Sequence, residues 1–241
     1  MVELFMRRKA ALSASQLDQP PVHDALRFFW SGLDLRKVVS EDLNYWPDRV
    51  GGGQLTLREQ PSNAAFDSYY SIYSNCLLWV NSSDGSQAVT PSLWVGDGDS
   101  AGTAGYTVEL MVRCDWELCQ GGIIVGHTGA GTYTLAFLGD TTNGLWCKMG
   151  GSSVVRLGTG PVEGAHCYTV TCTYEPEIEK YHYRGYLDGA FVGEYSYNRC
   201  YNSARNFYPK VALGALASHT RPLTEEEIGR NVRYYKSIWR D

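Results

Sequence analysis

Residues 166–194 of the chain read HCYTVTCTYEPEIEKYHYRGYLDGAFVGE. Apolar and aromatic side chains alternate with polar ones on both sides of the EPEIE segment, which is the period of a β-strand with one buried face. The pair Asp188-Gly189 separates two such runs, and Asp-Gly is typical of two-residue hairpin turns because both residues tolerate a positive φ. This part of the chain therefore predicts antiparallel strands joined by short turns.

The same texture continues in both directions along the chain. Strand-like segments lie at residues 26–30, 54–58, 71–80, 92–95, 106–112, 122–126, 133–138, 145–148, 153–157, 166–174, 181–187, 190–194 and 211–214. Parallel strands need crossover connections, and no long helix lies between these segments, so a parallel sheet is disfavoured. No fixed repeat indicates a propeller. We predict an all-β fold, an antiparallel two-sheet jelly-roll sandwich over residues 23–241.

One short helix is predicted at the C-terminal end. Thr224 and Glu227 have the spacing of a capping box, in which the hydroxyl accepts a helical N–H and the carboxylate accepts the N–H of the cap residue. Ile228, Val232 and Tyr235 follow on one side of the helix. This pattern predicts an amphipathic helix that packs on the sandwich.

Residues 1–22 carry little apolar periodicity and include the pair Pro20-Pro21. We predict an extended N-terminal arm and keep two interpretations of it, a flexible terminus or an anchor that docks onto a larger assembly. The apolar part at residues 10–14 is too short and too polar for a secretory signal peptide. No apolar run approaches the roughly 18 residues of a membrane span.

Composition excludes several classes of protein. Hydrophobic residues make up 44% and charged residues 20% of the chain, which predicts a folded domain. The net charge is −5 and no basic stripe is interleaved with aromatics, so nucleic-acid binding is not expected. The seven cysteines are an odd number, which argues against a complete disulfide framework. We predict reduced, structural cysteines in a protein made in a cytosol.

Five segments together resemble laminin-G-like and concanavalin-A-like jelly rolls. The early segment 45–52 is similar to the opening Trp-x-Asp-x-x-Gly-x-Gly turn of that family. Segments 168–174, 186–193, 213–214 and 221–228 resemble its closing half, with a Tyr-x-Asp-Gly hairpin, a late strand that ends in Gly and a helix that opens with Leu-Thr-x-Glu-Glu-Ile. The resemblance implies a sandwich of the carbohydrate-binding type, with calcium in a rim loop of some members.

A second resemblance concerns the N-terminal part. Residues 6–12 and 29–33 are similar to the start of structural proteins encoded by phages and prophages of gut bacteria. This resemblance implies a homo-oligomeric protein of the virion surface, made in bacterial cytosol, with residues 1–22 bound to other virion structural proteins. An extracellular location is the alternative.

No catalytic residues and no required cofactor are predicted. Glycosidases that resemble this fold typically carry a Glu-x-Asp-x-x-Glu motif on one strand, which supplies the nucleophile and the acid. This motif is absent from the sequence. The nearest carboxylates are those of residues 175–179, where Pro176 disfavours a central strand and favours a solvated loop. Asp115 and Glu117 lack a third carboxylate. The five histidines are scattered and no Gly-x-Ser-x-Gly elbow occurs.

Binding residues are predicted from side-chain chemistry. Hard oxygen ligands on turns suit calcium, although Asp and Asn are also ordinary turn residues. The calcium candidates are Asp97, Asp99, Asp140 and Asn143. Aromatic rings in or beside strands suit sugar rings, although a sandwich also uses them to fill its core. The carbohydrate-binding candidates are Trp94, Trp116, Tyr133 and Trp146.

Three functions follow from these observations. The first is a non-enzymatic virion protein, in a fibre or decoration role, whose jelly roll attaches to glycans or to a host surface. The second is a purely structural assembly subunit without a ligand. The third is a glycoside hydrolase of the same fold, which the missing carboxylate motif disfavours.

Overall fold

The computed structural model describes residues 20–238 with gaps. The residues outside the description are 1–19, 52–53, 58–69, 74, 80–92, 95–104, 118–121, 127–134, 150–154, 159, 161, 199, 201–202, 205, 208–210 and 239–241. The described part of the chain is an antiparallel two-sheet β-sandwich with a C-terminal helix, as predicted. No described helix is both long enough and apolar enough to cross a membrane.

The larger sheet contains eight strands. They are β1 (Leu26–Ser31), β4 (Tyr70–Tyr73), β5 (Cys76–Trp79), β7 (Tyr106–Cys114), β12 (Gly164–Glu175), β13 (Lys180–Leu187), β14 (Ala190–Tyr197) and β17 (Ala212–His219). Their order is β14-β13-β12-β7-β17-β5-β4, and β1 also pairs with β17. Strand β14 therefore forms one edge of this sheet.

The second sheet has five strands, in the order β11-β10-β9-β8-β16. They are β8 (Gly122–Gly126), β9 (Leu135–Asp140), β10 (Gly144–Met149), β11 (Val155–Gly158) and β16 (Asn206–Phe207). Two small ribbons pair β2 (Tyr45–Pro47) with β3 (Gln54–Thr56), and β6 (Leu93–Trp94) with β15 (Ser203–Ala204). The described helices are a 3-10 turn (Gly32–Asp34), α1 (Leu35–Ser40) and α2 (Glu225–Ile238).

Strand β7 is buried on both faces. Because side chains alternate across a strand, Val108, Leu110 and Val112 enter the core between the sheets, where Phe137 and Leu157 also lie. Met111 points to the opposite face and packs in a second core. The sheet therefore has an inner face toward the five-stranded sheet and an outer face toward α2.

Helix α2 covers the outer face and confirms the predicted capping box. The Thr224 hydroxyl accepts the Glu227 N–H at 3.3 Å, and the Glu227 carboxylate accepts the Thr224 N–H at 2.9 Å. Ile228, Val232 and Tyr235 are buried in the second core. The capped end and the apolar stripe together fix the helix on the sheet.

The hairpin between β13 and β14 also has the predicted turn. Asp188 has φ 51° and Gly189 has φ 84°, the left-handed values that a tight hairpin needs. The Asp188 carboxylate accepts the Cys167 N–H at 3.0 Å, His166 Nδ1 at 2.8 Å and Lys236 Nζ at 3.0 Å. This one side chain therefore ties the hairpin to β12 and to α2.

The early turn at residues 45–51 is fixed by a buried tryptophan and an aspartate. Trp46 is fully buried and donates its indole N–H to the Ser31 carbonyl at 2.8 Å. The Asp48 carboxylate accepts the N–H groups of Phe29, Val50 and Gly51 at 2.9–3.0 Å. The Trp-x-Asp pattern thus has a structural role, because it holds the turn against β1.

Three details differ from the expectations. The predicted strand 71–80 is a hairpin of β4 and β5, with Asn75 at φ 58° in the turn. The late strand does not end at Gly214; a register shift between Leu213 and Ala215 absorbs this residue, and β17 continues to His219. Helix α1 was not predicted, because six residues carry too little apolar periodicity for a helical signal.

The described end of the predicted arm packs on the domain. Val22 is 4% exposed, lies in the second core and donates its N–H to Asn231 Oδ1 at 3.0 Å. Residue 22 is therefore part of the folded unit, and residues 1–19 lie outside the described residues.

Candidate ligand-binding face

Four tyrosines form a connected aromatic surface on the inner face near the β14 edge. Tyr174, Tyr181 and Tyr197 are direct cross-strand partners on β12, β13 and β14, and Tyr195 is two residues from Tyr197 on the same face. The rings of Tyr174 and Tyr181 are 4.9 Å apart between centroids. Those of Tyr195 and Tyr197 stack at 6.0 Å with 22° between their planes. We call these four residues the tyrosine platform.

The platform is anchored at its centre and accessible at its rim. Tyr181 is 6% exposed and belongs to the main core, while Tyr174, Tyr195 and Tyr197 are partly buried against that core. The neighbouring Tyr183 is fully buried and pairs across the strands with Tyr195. Buried rings therefore fix the backbone and the orientation of the accessible rings.

Two glycines bring the second sheet close to these strands on one side of the platform. A Cβ at Gly185 would lie 3.3 Å from Leu157 Cβ, and a Cβ at Gly193 would lie 3.8 Å from Leu157 Cδ2. Gly185 and Gly193 are cross-strand partners four residues from Tyr181 and Tyr197, about 13 Å along the strands. Strand β11 therefore packs on β13 and β14 at the glycines, away from the tyrosine row.

The platform combines apolar rings with neutral polar tips. Each ring has an apolar body for stacking, and each phenolic hydroxyl can both donate and accept a hydrogen bond. Glu175 and Lys180, a cross-strand pair directly beyond Tyr174 and Tyr181, mark the end of the hairpin. The arrangement suits a ligand with apolar faces and many hydroxyls.

Two of the predicted aromatic residues have structural contacts. Trp116, in the turn after β7, is half-buried, packs against both cores and donates its indole N–H to the Val162 carbonyl at 2.9 Å. Trp146 is 8% exposed and donates its indole N–H to Asp140 Oδ2 at 3.1 Å. Each indole therefore already has a hydrogen-bond acceptor within the domain.

The side chains of the other two predicted aromatic residues, Trp94 and Tyr133, are not among those that the structure describes. Trp94 lies in β6, where only the backbone is described, and Tyr133 lies outside the described residues. Binding of a sugar at Trp94, Trp116, Tyr133 or Trp146 stays a prediction.

Asp140 closes the turn between β9 and β10. Its Oδ1 accepts the N–H groups of Thr142 and Asn143, and the Asn143 amide donates to both of its oxygens at 3.0 Å. Burial acts to raise the pKa of Asp140, but these hydrogen bonds and the one from Trp146 hold it below its usual value. The carboxylate thus stabilises the turn.

Calcium binding also stays a prediction. Asp97 and Asp99 lie outside the described residues. Within the described part of the chain, no group of three or more His, Cys, Asp or Glu side chains is arranged to hold a metal ion.

Residues 176–179 of the acidic segment form a turn, as predicted, whereas Glu175 still belongs to β12. Strand β12 ends at Glu175, β13 begins at Lys180, and Glu177 is exposed between them. On the outer face, His182 Nδ1 lies 2.9 Å from Glu175 Oε1 and its Nε2 lies 3.3 Å from Glu194 Oε2. Both carboxylates are therefore engaged by one imidazole on the face opposite to the platform.

A second polar cluster is buried under α2. Glu109 is 1% exposed, and its Oε2 accepts from His219 Nε2 at 3.0 Å, Asn231 Nδ2 at 2.9 Å and the Tyr235 hydroxyl at 3.1 Å. Burial and the neighbouring Glu109 raise the pKa of Tyr235 well above its usual range, so the hydroxyl remains a donor. Since these side chains are at most 1% exposed, the cluster joins the helix to the sheet and cannot receive a substrate.

The described cysteines are buried in the core, and their reduced state in a cytosol stays a prediction. Six are described, and all six are buried and free of disulfide bonds. They are Cys76, Cys114, Cys147, Cys167, Cys172 and Cys200.

The tyrosine platform is not among the binding residues predicted from the sequence. The alternation at residues 168–174 and 181–187 placed tyrosines on strands, which was the available signal. Their assembly into one surface depends on the register between β12, β13 and β14, which is a property of the sheet.

Solved structures of similar fold are found, whereas no protein-family model matches the chain and no curated protein matches it in sequence. Domain 4 of AbnA, a GH43 extracellular arabinanase from Geobacillus stearothermophilus, in complex with arabinotriose, is similar with a TM-score of 0.55 and 13% identity. That likeness covers 86% of this chain and 98% of the arabinanase domain.

A sialidase from Trypanosoma rangeli is similar with a TM-score of 0.56 and 17% identity, covering 100% of this chain. This chain spans 39% of the length of the sialidase. At these identities the likeness establishes the fold, a β-sandwich that is also found in proteins that act on carbohydrates.

Proposed function

We propose that this domain binds glycans on the tyrosine platform and does not cleave them. The observation that carries the proposal is the row of cross-strand tyrosines, with Tyr181 buried and Tyr174, Tyr195 and Tyr197 accessible. A sugar ring has an apolar C–H face and a rim of hydroxyls. The platform matches both, because its rings can stack on the face and its hydroxyls can bond to the rim.

The structural neighbours support the same class of ligand. One is a domain of an arabinanase in complex with arabinotriose, and the other is a sialidase. They share the fold with this chain, and the platform supplies a surface on that fold that is preorganised by the core. A rigid surface loses little conformational freedom on binding, which favours affinity.

The experiment is a glycan array with the full chain, with and without calcium, followed by titration of any glycan that binds. Tyr195→Ala and Tyr197→Ala are expected to weaken binding by about tenfold each, since an aromatic contact contributes roughly 1 kcal/mol or more. Phe191→Ala is the matched control, because Phe191 is 47% exposed on the same strand but packs with Tyr186 on the outer face. A silent array, or equal losses for all three variants, would contradict the proposal and favour a structural subunit without a ligand.

Calcium is included because we also propose that Asp97, Asp99, Asp140 and Asn143 bind it. Binding that requires calcium and is lost in a chelator would support this proposal. The proposal is wrong if calcium, titrated into the protein, produces no heat of binding and does not raise the Tm.

The non-enzymatic role is proposed because the sequence lacks the Glu-x-Asp-x-x-Glu motif. Incubation with the glycans that bind, followed by chromatography, is expected to return them intact. Release of a smaller product would instead favour the glycoside hydrolase. In that case Glu175→Gln and Glu194→Gln would test the carboxylates that flank His182.

We further propose that the protein is a homo-oligomer of a virion surface, made in bacterial cytosol and attached to other virion proteins through the part of the predicted 1–22 arm that precedes the buried Val22. The support is the resemblance of residues 6–12 and 29–33 to phage structural proteins. Labelling of particles from the source with an antibody against residues 23–241 is expected to mark their surface. Particles without label, and protein found only in the medium, would favour the extracellular alternative.

A further inference from the structure

His166 lies near the start of β12, where the tip of the β13–β14 hairpin meets the last turn of α2. Its Nδ1 is 2.8 Å from Asp188 Oδ2, and its Nε2 is 2.8 Å from the carbonyl oxygen of Glu163. Lys236 Nζ lies 3.0 Å from the same oxygen of Asp188. The side chain of His166 is partly buried, with 19% of it exposed. One imidazole and one carboxylate therefore connect β12, the hairpin and the helix.

Both neighbours of the imidazole accept hydrogen bonds and have no proton to donate. The neighbour at Nε2 is a backbone carbonyl. The neighbour at Nδ1 is a carboxylate, because burial acts to raise the pKa of Asp188 but its hydrogen bonds hold that pKa at about 2. A neutral imidazole has one N–H and one lone pair, so it can donate to only one of these two acceptors. The two short contacts therefore indicate that the ring of His166 is an imidazolium, which donates on both sides.

We propose that His166 is a pH-sensitive latch, which in its charged form holds the tip of the β13–β14 hairpin on β12 and which loosens this tip when the ring loses its proton. In the neutral form, one ring nitrogen would direct a lone pair at an acceptor 2.8 Å away, either Asp188 or the Glu163 carbonyl. Two lone pairs at this distance repel each other, so the ring has to turn away and one hydrogen bond is lost. Asp188 then keeps its bonds to the Cys167 N–H and to Lys236.

The charged groups that face the imidazole come from two elements. Asp188, in the hairpin turn, favours the charged form of the ring, and Lys236, on α2, opposes it. The cross-strand partner on β7 is the uncharged Val112, and the segment before β12 contributes the Glu163 carbonyl. The hydrogen bond to Asp188 is the largest of these effects. The pKa of His166 is therefore raised above its ordinary value of 6.5, although burial acts to lower it.

The direction of the pH dependence follows from the raised pKa. Because the pKa of His166 is higher in the folded protein than in the unfolded chain, the latch contributes its full stability below pH 6.5. This contribution is lost as the pH rises through the pKa of the folded protein. The hairpin tip is therefore held more firmly in weakly acidic solution than in alkaline solution.

The latch is separate from the tyrosine platform. Leu187 and Ala190 pair at the tip of the hairpin, whereas Tyr181 and Tyr197 pair at the other end of β13 and β14. Release of the latch therefore frays the edge strand β14 from the end that is distant from the platform. This effect does not depend on whether the platform binds a ligand.

The test is hydrogen exchange of backbone amides, followed by NMR on the unmutated full chain from weakly acidic to alkaline pH. Asp188 reports on the tip, because its N–H donates to the Cys167 carbonyl at 2.8 Å. Its protection, taken relative to the unfolded chain at the same pH, should fall by about tenfold along the titration curve of the His166 ring. The N–H of Ile228, bonded to the Thr224 carbonyl at 2.9 Å, is the internal control and should keep its protection.

Four variants complete the design. His166→Gln should make the protection of the tip independent of pH. His182→Gln is the matched control and should keep the pH dependence, because His182 is also partly buried, at 24% exposure, and also contacts carboxylates. Asp188→Asn should lower the pH at which the His166 ring titrates, and Lys236→Met should raise it, since these two side chains act on the ring in opposite directions.

Three results would overturn the proposal. The first is a protection of the Asp188 N–H that does not change with pH in the unmutated protein. The second is an equal fall in protection at Ile228, which would show that the whole domain loosens. The third is a fall that persists in His166→Gln. The first two are read on the unmutated chain, so an unstable variant does not affect them.

Discussion

Glu109 provides the sharpest test of how the helix is held on the sheet. Its carboxylate is buried and accepts hydrogen bonds from His219, Asn231 and Tyr235 at 2.9–3.1 Å. Glu109→Leu keeps a similar volume but leaves three buried donors without an acceptor. Each such donor costs about 1–3 kcal/mol, and removal of one member of a buried charged network costs about 3–5 kcal/mol in total. We expect a loss of about 4 kcal/mol in the free energy of unfolding.

Urea denaturation followed by tryptophan fluorescence measures this loss, and thermal unfolding should show a fall of about 10 °C in Tm. Glu109→Gln keeps one acceptor oxygen and should lose about half as much. Glu194→Leu is the control on a neighbouring region, because Glu194 is 52% exposed and an exposed ion pair contributes less than about 1 kcal/mol. Equal stability of the Leu and Gln variants, or a loss at Glu109 no larger than at Glu194, would refute the reasoning.

Three other perturbations have defined outcomes. Burial acts to raise the pKa of Asp188, but hydrogen bonds from His166, the Cys167 N–H and Lys236 outweigh it and hold the pKa at about 2, below the ordinary 3.8. The contribution of Asp188 to the free energy of unfolding is therefore complete above pH 3.8 and is lost as the pH falls toward 2. Asp188→Asn should lower the free energy of unfolding by about 1–2 kcal/mol at neutral pH. The variant should also lose less stability than the unmutated protein between pH 5 and pH 2, which urea denaturation over this range measures. An unchanged acid limb would contradict this. Thr224→Ala removes the helix cap and should cost about 1 kcal/mol, with Thr224→Ser as the variant that restores it; equal Tm values for Ala and Ser would contradict the role of the hydroxyl. Gly158→Ala should destabilise the five-stranded sheet, because a Cβ at residue 158 would lie 2.5 Å from Trp146 Cβ. Gly160→Ala is the control, because a Cβ at residue 160 would have no other heavy atom within 4 Å. Thermal unfolding should show a lower Tm for Gly158→Ala only.

The features that were predictable from sequence are those in which the interacting residues are neighbours in the chain. Alternation along 166–174 predicts a strand, because side chains on a strand point to opposite faces. Asp188-Gly189 predicts its turn, because the left-handed φ values are a property of the two residues themselves. Thr224 and Glu227 predict the helix start, because both hydrogen bonds of the capping box lie within four residues.

The tertiary structure decided everything that depends on which distant residues meet. The tyrosine platform exists because strand register places Tyr174, Tyr181 and Tyr197 side by side, and register is set by the pairing of whole strands. The same reason accounts for Glu109, whose carboxylate meets His219, Asn231 and Tyr235 from distant parts of the chain. Sequence by itself determined that this chain would build antiparallel strands with one capped helix. The packing of those strands decided which aromatic rings are fully buried in the core and which ones are only partly buried against it.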